Sequence, residues 1–217
     1  MTKHEAVDLI FLNVNGGKFT QEVPVQRPDI EAYLPLALQS AIKAAMFSEK
    51  ASARADRGSG LLFEDSLPES FYSTYQFTPT KSASRDAWYF QLPKALGMEY
   101  GWGVRHPRPI KTGEPFIRLT SPSQVFAMPA AFHGARMYWT EETESSTNLF
   151  LKGVPIPVCE MLVDIIRDPK YLDGDDEITA PKDAMDNAVQ RAIAFFRQQA
   201  GTPASERQDD KAINEGE

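Results

Sequence analysis

The spacing of hydrophobic positions changes along the chain. From Val7 to Val25 they alternate around Asn15-Gly16-Gly17, with Val7, Leu9 and Phe11 on one side and Phe19, Val23 and Val25 on the other. Asn-Gly between alternating apolar runs is a strong hairpin signal. Residues 1–28 are therefore expected to form an N-terminal hairpin or arm, packed on its own domain or reaching a neighbouring subunit. From Asp29 to about Ser52 the period lengthens: Ile30, Tyr33, Leu34, Ala37, Leu38, Ala41, Ala45 and Met46 recur every three or four residues, which predicts one amphipathic helix. Pro35 lacks an amide donor, so regular helix either starts there or kinks there.

Between Leu61 and Arg167 short runs rich in aromatic and β-branched residues alternate with Pro and Gly. They predict strands at 71–78, 87–92, 103–106, 115–119, 124–128, 136–140, 148–151 and 158–166. Many short strands with turn signals between them predict a sandwich or barrel-like region rather than βαβ repeats. A second helix follows, with Pro181 at its first turn, Met185, Ala188, Val189, Ala192, Ile193 and Phe196 on one face, and Gly201 with Pro203 at its end. The last segment holds one large aliphatic residue, Ile213, and is too polar to offset its own ordering entropy. The expected fold is α+β: a β-sandwich-like body with two long amphipathic helices and extended terminal arms. Residues 29–200 form its single domain and 201–217 an extended tail.

Composition narrows the function classes. The 217 residues carry 30 acidic and 23 basic side chains, a net charge of −7, which argues against a surface built to grip nucleic-acid phosphates. One cysteine, Cys159, leaves no intramolecular disulfide framework. Neither a signal peptide nor a membrane span is expected. The charge is uneven. Residues 79–118 hold seven basic against three acidic side chains, net +4; residues 160–183 hold eight acidic against three basic, net −5; the tail from Gly201 is net −3. These are either two solvated faces or complementary patches for head-to-tail contact between copies.

Chemistry-bearing motifs are sparse. His4, His106 and His133 lack partners at metal-ligand spacing. Cys159 lies in an apolar run, where a small buried residue is expected rather than a nucleophile. Asp173-Gly174-Asp175-Asp176-Glu177 lacks the ligand spacing of an EF-hand and reads as a solvated turn. No cofactor, metal or catalytic residue is expected. Trp88, Trp102 and Trp139 could stack on sugars if exposed in one groove, but aromatics in such strands are more often core or interface anchors.

The ordered set of segments resembles the ring proteins of the head-to-tail connector of crAss-like tailed phages. That set comprises DIEAYLPLALQSAIKAA, SFYSTYQF, WYFQLP, GWGVRHP, the RMYWTEE to LFLKGVPIP hairpin, VCEMLVDIIRD, DGDDEITAP, the final amphipathic helix and ERQDDKAINEGE. The tail departs at Ile213-Asn214-Glu215, where the family pattern has an Asn-Asp pair. The resemblance implies a non-enzymatic virion component, a homo-oligomeric ring of roughly twelve copies in the portal and neck assembly, put together in the host bacterial cytoplasm. Portal and other connector, tail or cargo proteins would be its neighbours. Genomic DNA would pass the lumen without specific binding, and no membrane is involved. Assembly contacts are expected at Val7, Leu9 and Phe11; at Arg105, Arg108 and Lys111; at Asp173, Asp175 and Asp176; and at Arg207, Asp209, Asp210, Lys211 and Ile213 in the tail. The alternatives are another virion role, such as tail hub, tail tube or capsid-associated protein, and a carbohydrate-binding β module.

Overall fold

The computed structural model describes residues 1–17, 25–56, 68–83, 86–98, 103–119, 121, 123–124, 135–154 and 160–201, with backbone only for 50–56 and 201. The chain divides into two compact units, Met1–Ser48 with Leu172–Glu217, and Glu49–Tyr171. The predicted α+β class holds: among the described residues, helices α1 (Lys3–Val14), α2 (Arg27–Asp56) and α3 (Lys182–Gly201) accompany eight strands in two sheets.

The first unit is helical, and here the expected hairpin is corrected. Lys3–Val14 is a helix whose start is fixed by a capping box: the Thr2 hydroxyl accepts from the Glu5 amide at 3.2 Å, and the Glu5 carboxylate accepts from the Thr2 amide at 2.8 Å. At its end Asn15-Gly16-Gly17 closes a helix instead of turning a hairpin. Gly16 and Gly17 take φ of 61° and 78°, and the Gly17 amide donates to the Leu12 carbonyl at 2.9 Å, a pattern that satisfies last-turn carbonyls and favours residues without a Cβ. On a helix Val7 and Phe11 share the core face with Ala6 and Ile10, and Leu9 points to solvent. The second half of the expected hairpin, residues 18–24, lies outside the described residues.

Helix α2 runs continuously through Pro35; the missing amide leaves the Glu31 carbonyl without its usual i+4 donor. Its buried residues Ile30, Leu34, Ala37, Leu38 and Ala41 share one core with the α1 face and with Ala188, Val189, Ala192, Ile193 and Phe196 of α3. Tyr33 stacks on Phe195 with centroids 4.3 Å apart and meets Phe196 edge-on at 5.4 Å. Each such ring pair adds about 0.5–1.5 kcal/mol beyond burial.

The second unit holds both sheets. One is antiparallel, in the order β1 (Ser73–Phe77), β8 (Met161–Ile165), β4 (Val104–Pro109). The other runs β2 (Thr80–Lys81), β3 (Trp88–Pro93), β7 (Ser146–Lys152), β6 (Met137–Glu142), β5 (Ile117–Arg118), with β5 parallel to β6. Phe77, Val104, Met161, Val163 and Ile165 of the first share one buried cluster with Leu92, Tyr138, Leu149 and Leu151 of the second, the sandwich-like arrangement that the sequence predicts. Polar ties cross it: the Arg118 guanidinium and the Tyr138 hydroxyl both donate to the Val104 carbonyl, the latter at 3.4 Å. Burial lowers the Arg118 pKa, opposed by the neighbouring Tyr138 hydroxyl. Most predicted strands fall within a few residues of these bounds; 124–128 lies almost wholly outside the described residues, and β2 was not anticipated.

Candidate assembly surfaces

The expected contact residues separate into a set consumed inside the units and a set that faces solvent. In the helical unit the acidic turn receives the start of the chain. The Lys3 amide donates to the Asp176 carbonyl at 3.2 Å, the His4 amide to Gly174 at 2.9 Å, and the Ile178 amide to the Met1 carbonyl at 3.1 Å. Thr2 forms a β-bridge with Glu177. The Lys3 ammonium donates to the Leu172 carbonyl at 2.8 Å, and His4 Nδ1 lies 3.3 Å from Asp175 Oδ1. Within the turn the Asp173 amide donates to the Asp176 carboxylate at 2.9 Å. A Cβ on Gly174 would stand 2.1–2.6 Å from the His4 ring, so glycine is what lets that ring lie against the turn. Asp173, Asp175 and Glu177 nonetheless keep their side chains exposed, whereas Asp176 is half-buried. Val7 and Phe11 belong to the core and are not available to a neighbour; Leu9 is.

In the sandwich unit the basic strand β4 holds a bulge between Arg105 and Arg108. Residues three apart on a regular strand face opposite ways; one extra residue puts them on the same face. Arg105 thus lies opposite Asp164 and Arg108 opposite Leu162, two positions apart on β8, on the face away from the core residues Met161, Val163 and Ile165. Asp164 is 5% exposed. It accepts from Arg108 Nη1 at 2.7 Å, from Arg108 Nη2 at 3.5 Å and from the Thr74 hydroxyl of β1 at 2.7 Å. Arg108 is therefore committed to an internal pair. Arg105 lies over the Tyr72 ring, 5.4 Å from its centroid. Lys111, in the turn after β4, is exposed. The tail residues Arg207, Asp209, Asp210, Lys211 and Ile213 lie outside the described residues.

Among the described residues the aromatics do not form an open groove. Trp139 is buried and stacked on Phe150 at 5.4 Å, in a cross-strand row that continues to Tyr89 at 6.1 Å; Trp102 lies outside the described residues. Trp88 lines a cavity of about 230 Å³ with Lys81, Asp86 and Lys152, below the roughly 300–1,000 Å³ of small-molecule sites. Among the described residues no three His, Cys, Asp or Glu side chains cluster as metal ligands, and no helix is long and apolar enough to cross a membrane. Comparison with protein-family models and with curated proteins finds no match.

Proposed function

We propose that this protein is a virion structural subunit that assembles as a closed ring, on the order of twelve copies, in the head-to-tail connector of a tailed phage. The observation that carries the reading is the ordered series of segments from Ile30 onward: an opening helix, the aromatic strands, the long β8 strand, the acidic turn and the closing amphipathic helix. Two surfaces of opposite charge support it. The carboxylates of Asp173, Asp175 and Glu177 are exposed on one unit, and on the other Lys111 is exposed and Arg105 half-buried. A heterologous contact that repeats around an axis needs two such different patches. Portal, other connector, tail or cargo proteins are the proposed neighbours, in a virion assembled in the host cytoplasm. A net charge of −7 suits a lumen that DNA slides through rather than binds.

The test is mass spectrometry of purified phage particles that carry this gene, followed by symmetry-resolved imaging of the neck. The expected result is ring stoichiometry and density for the two-sheet body around the portal axis. Absence from the particle, or a position in the capsid shell or tail tip, overturns the reading.

A further inference from the structure

We propose that the outer face of the three-stranded sheet, at Arg105 and Arg108, receives a carboxylate from an acidic peptide segment of another chain. The site is built by the β4 bulge, which turns both arginines to the face that carries Asp164. Arg108 is held on Asp164 by two donors, and Asp164 is held in turn by Thr74, so the strand-to-strand frame is fixed before any ligand arrives. Arg105 differs. Its guanidinium lies over the Tyr72 ring, and no acceptor among the described residues takes its N–H groups. Attraction to the aromatic face restrains the planar fork, and its N–H groups turned away from the ring suit a bidentate acceptor, the geometry that carboxylates and phosphates match.

Charge decides between those two ligands. Arg105, Arg108 and Asp164 together carry +1, which one carboxylate neutralises. A phosphate monoester would bring close to −2 and a nucleic-acid strand a whole row of charges, against a chain that is already at −7. The fork therefore fits a single carboxylate presented on a flexible segment.

The proposal concerns binding by one chain and does not depend on the ring, so either reading can fail alone. The probe is a capped Gly-Gly-Glu-Gly-Gly peptide, which presents one carboxylate, titrated into the full chain. Binding is followed through the side-chain Nε–H resonance of Arg105 by NMR, with the Gln counterpart and a short oligothymidylate as comparisons. The expected result is saturable binding of the Glu peptide that weakens with added salt and falls at least about tenfold in R105Q, with only partial recovery in R105K, which keeps the charge and loses the fork. No binding overturns the proposal. So does binding unchanged in R105Q, equal binding of the Gln peptide, or tighter binding of the oligonucleotide. A melting curve of R105Q that matches the parent separates lost contact from lost fold, and R105K supplies the same comparison if R105Q does not fold.

Discussion

Replacing Arg108 by Met, Asp164 by Ala, and then both, tests whether the pair that spans β4 and β8 acts as one unit. Arg108→Met leaves Asp164 with the Thr74 hydroxyl as its remaining hydrogen-bond donor among the described residues, in a place where only 5% of the residue is exposed. Removing one partner of a buried ion pair costs about 3–5 kcal/mol, and the lower end applies because the Arg108 side chain is 33% exposed and its loss admits water. Asp164→Ala is milder, about 2 kcal/mol, because the same exposure lets Arg108 turn to solvent. The double variant removes both charges and should cost no more than about 2 kcal/mol, so the two changes are coupled by roughly 3 kcal/mol or more. All three tryptophans, Trp88, Trp102 and Trp139, belong to the Glu49–Tyr171 unit. Fluorescence during urea unfolding thus reads from probes inside this unit. With a slope near 2 kcal/mol/M, the Arg108→Met loss moves the midpoint down by about 1.5 M. Additive costs would refute the reasoning, since they would mean that Asp164 and Arg108 are solvated independently.

Other positions give sharper local tests. A Cβ on Gly103 would lie 2.3 Å from the Leu96 carbonyl oxygen, inside a ladder where Ile166 donates to Gly103 at 2.9 Å and Leu96 to Ile166 at 2.7 Å; Gly103→Ala should cost about 2–3 kcal/mol by tryptophan-monitored unfolding, and a cost near zero would contradict this packing. Gly174→Ala displaces the exposed His4 ring instead of backbone, so it should cost about 1 kcal/mol or less. Adding His4→Ala should remove most of that cost in thermal melts followed by circular dichroism, and an unrelieved cost would place the clash elsewhere. Thr2→Ala deletes one arm of the capping box and should lower stability by about 1 kcal/mol by the same assay; an unchanged melt would contradict the cap.

Long-period elements were legible in the sequence, and the ends of the chain were not. Helices α2 and α3 follow from apolar residues at three- and four-residue spacing, and the strands from aromatic and β-branched runs between Pro and Gly. The N-terminus was misread because Val7, Leu9 and Phe11 alternate for only three positions. The competing helical set Ala6, Val7, Ile10 and Phe11 fits the burial, and Thr2-x-x-Glu5 is itself a capping-box signature. Asn-Gly-Gly is ambiguous, since the left-handed backbone it supplies serves a hairpin turn and a helix end equally well. The contact residues were harder still. Arg108 could be read as basic, but its pairing with Asp164 depends on a bulge and on a partner 56 residues away. The acidic turn could be read as solvated, but its backbone partners sit in the first four residues of the chain. Such pairings are set by strand register and chain path, which no local pattern carries.

The helical unit is built from both ends of the chain, and this imposes an order on its birth at the ribosome. Residues 49–171 emerge as one continuous stretch and can collapse while synthesis proceeds. Helices α1 and α2 must wait for α3, which begins 168 residues after Val14 and 126 after Asp56, an interval of about 6–34 s at the usual pace of elongation. Through that interval Ile10, Ile30, Leu34 and Leu38 have no native partner from α3 to close over them. The nascent chain is therefore most vulnerable to misassociation and most dependent on chaperones until α3 is released.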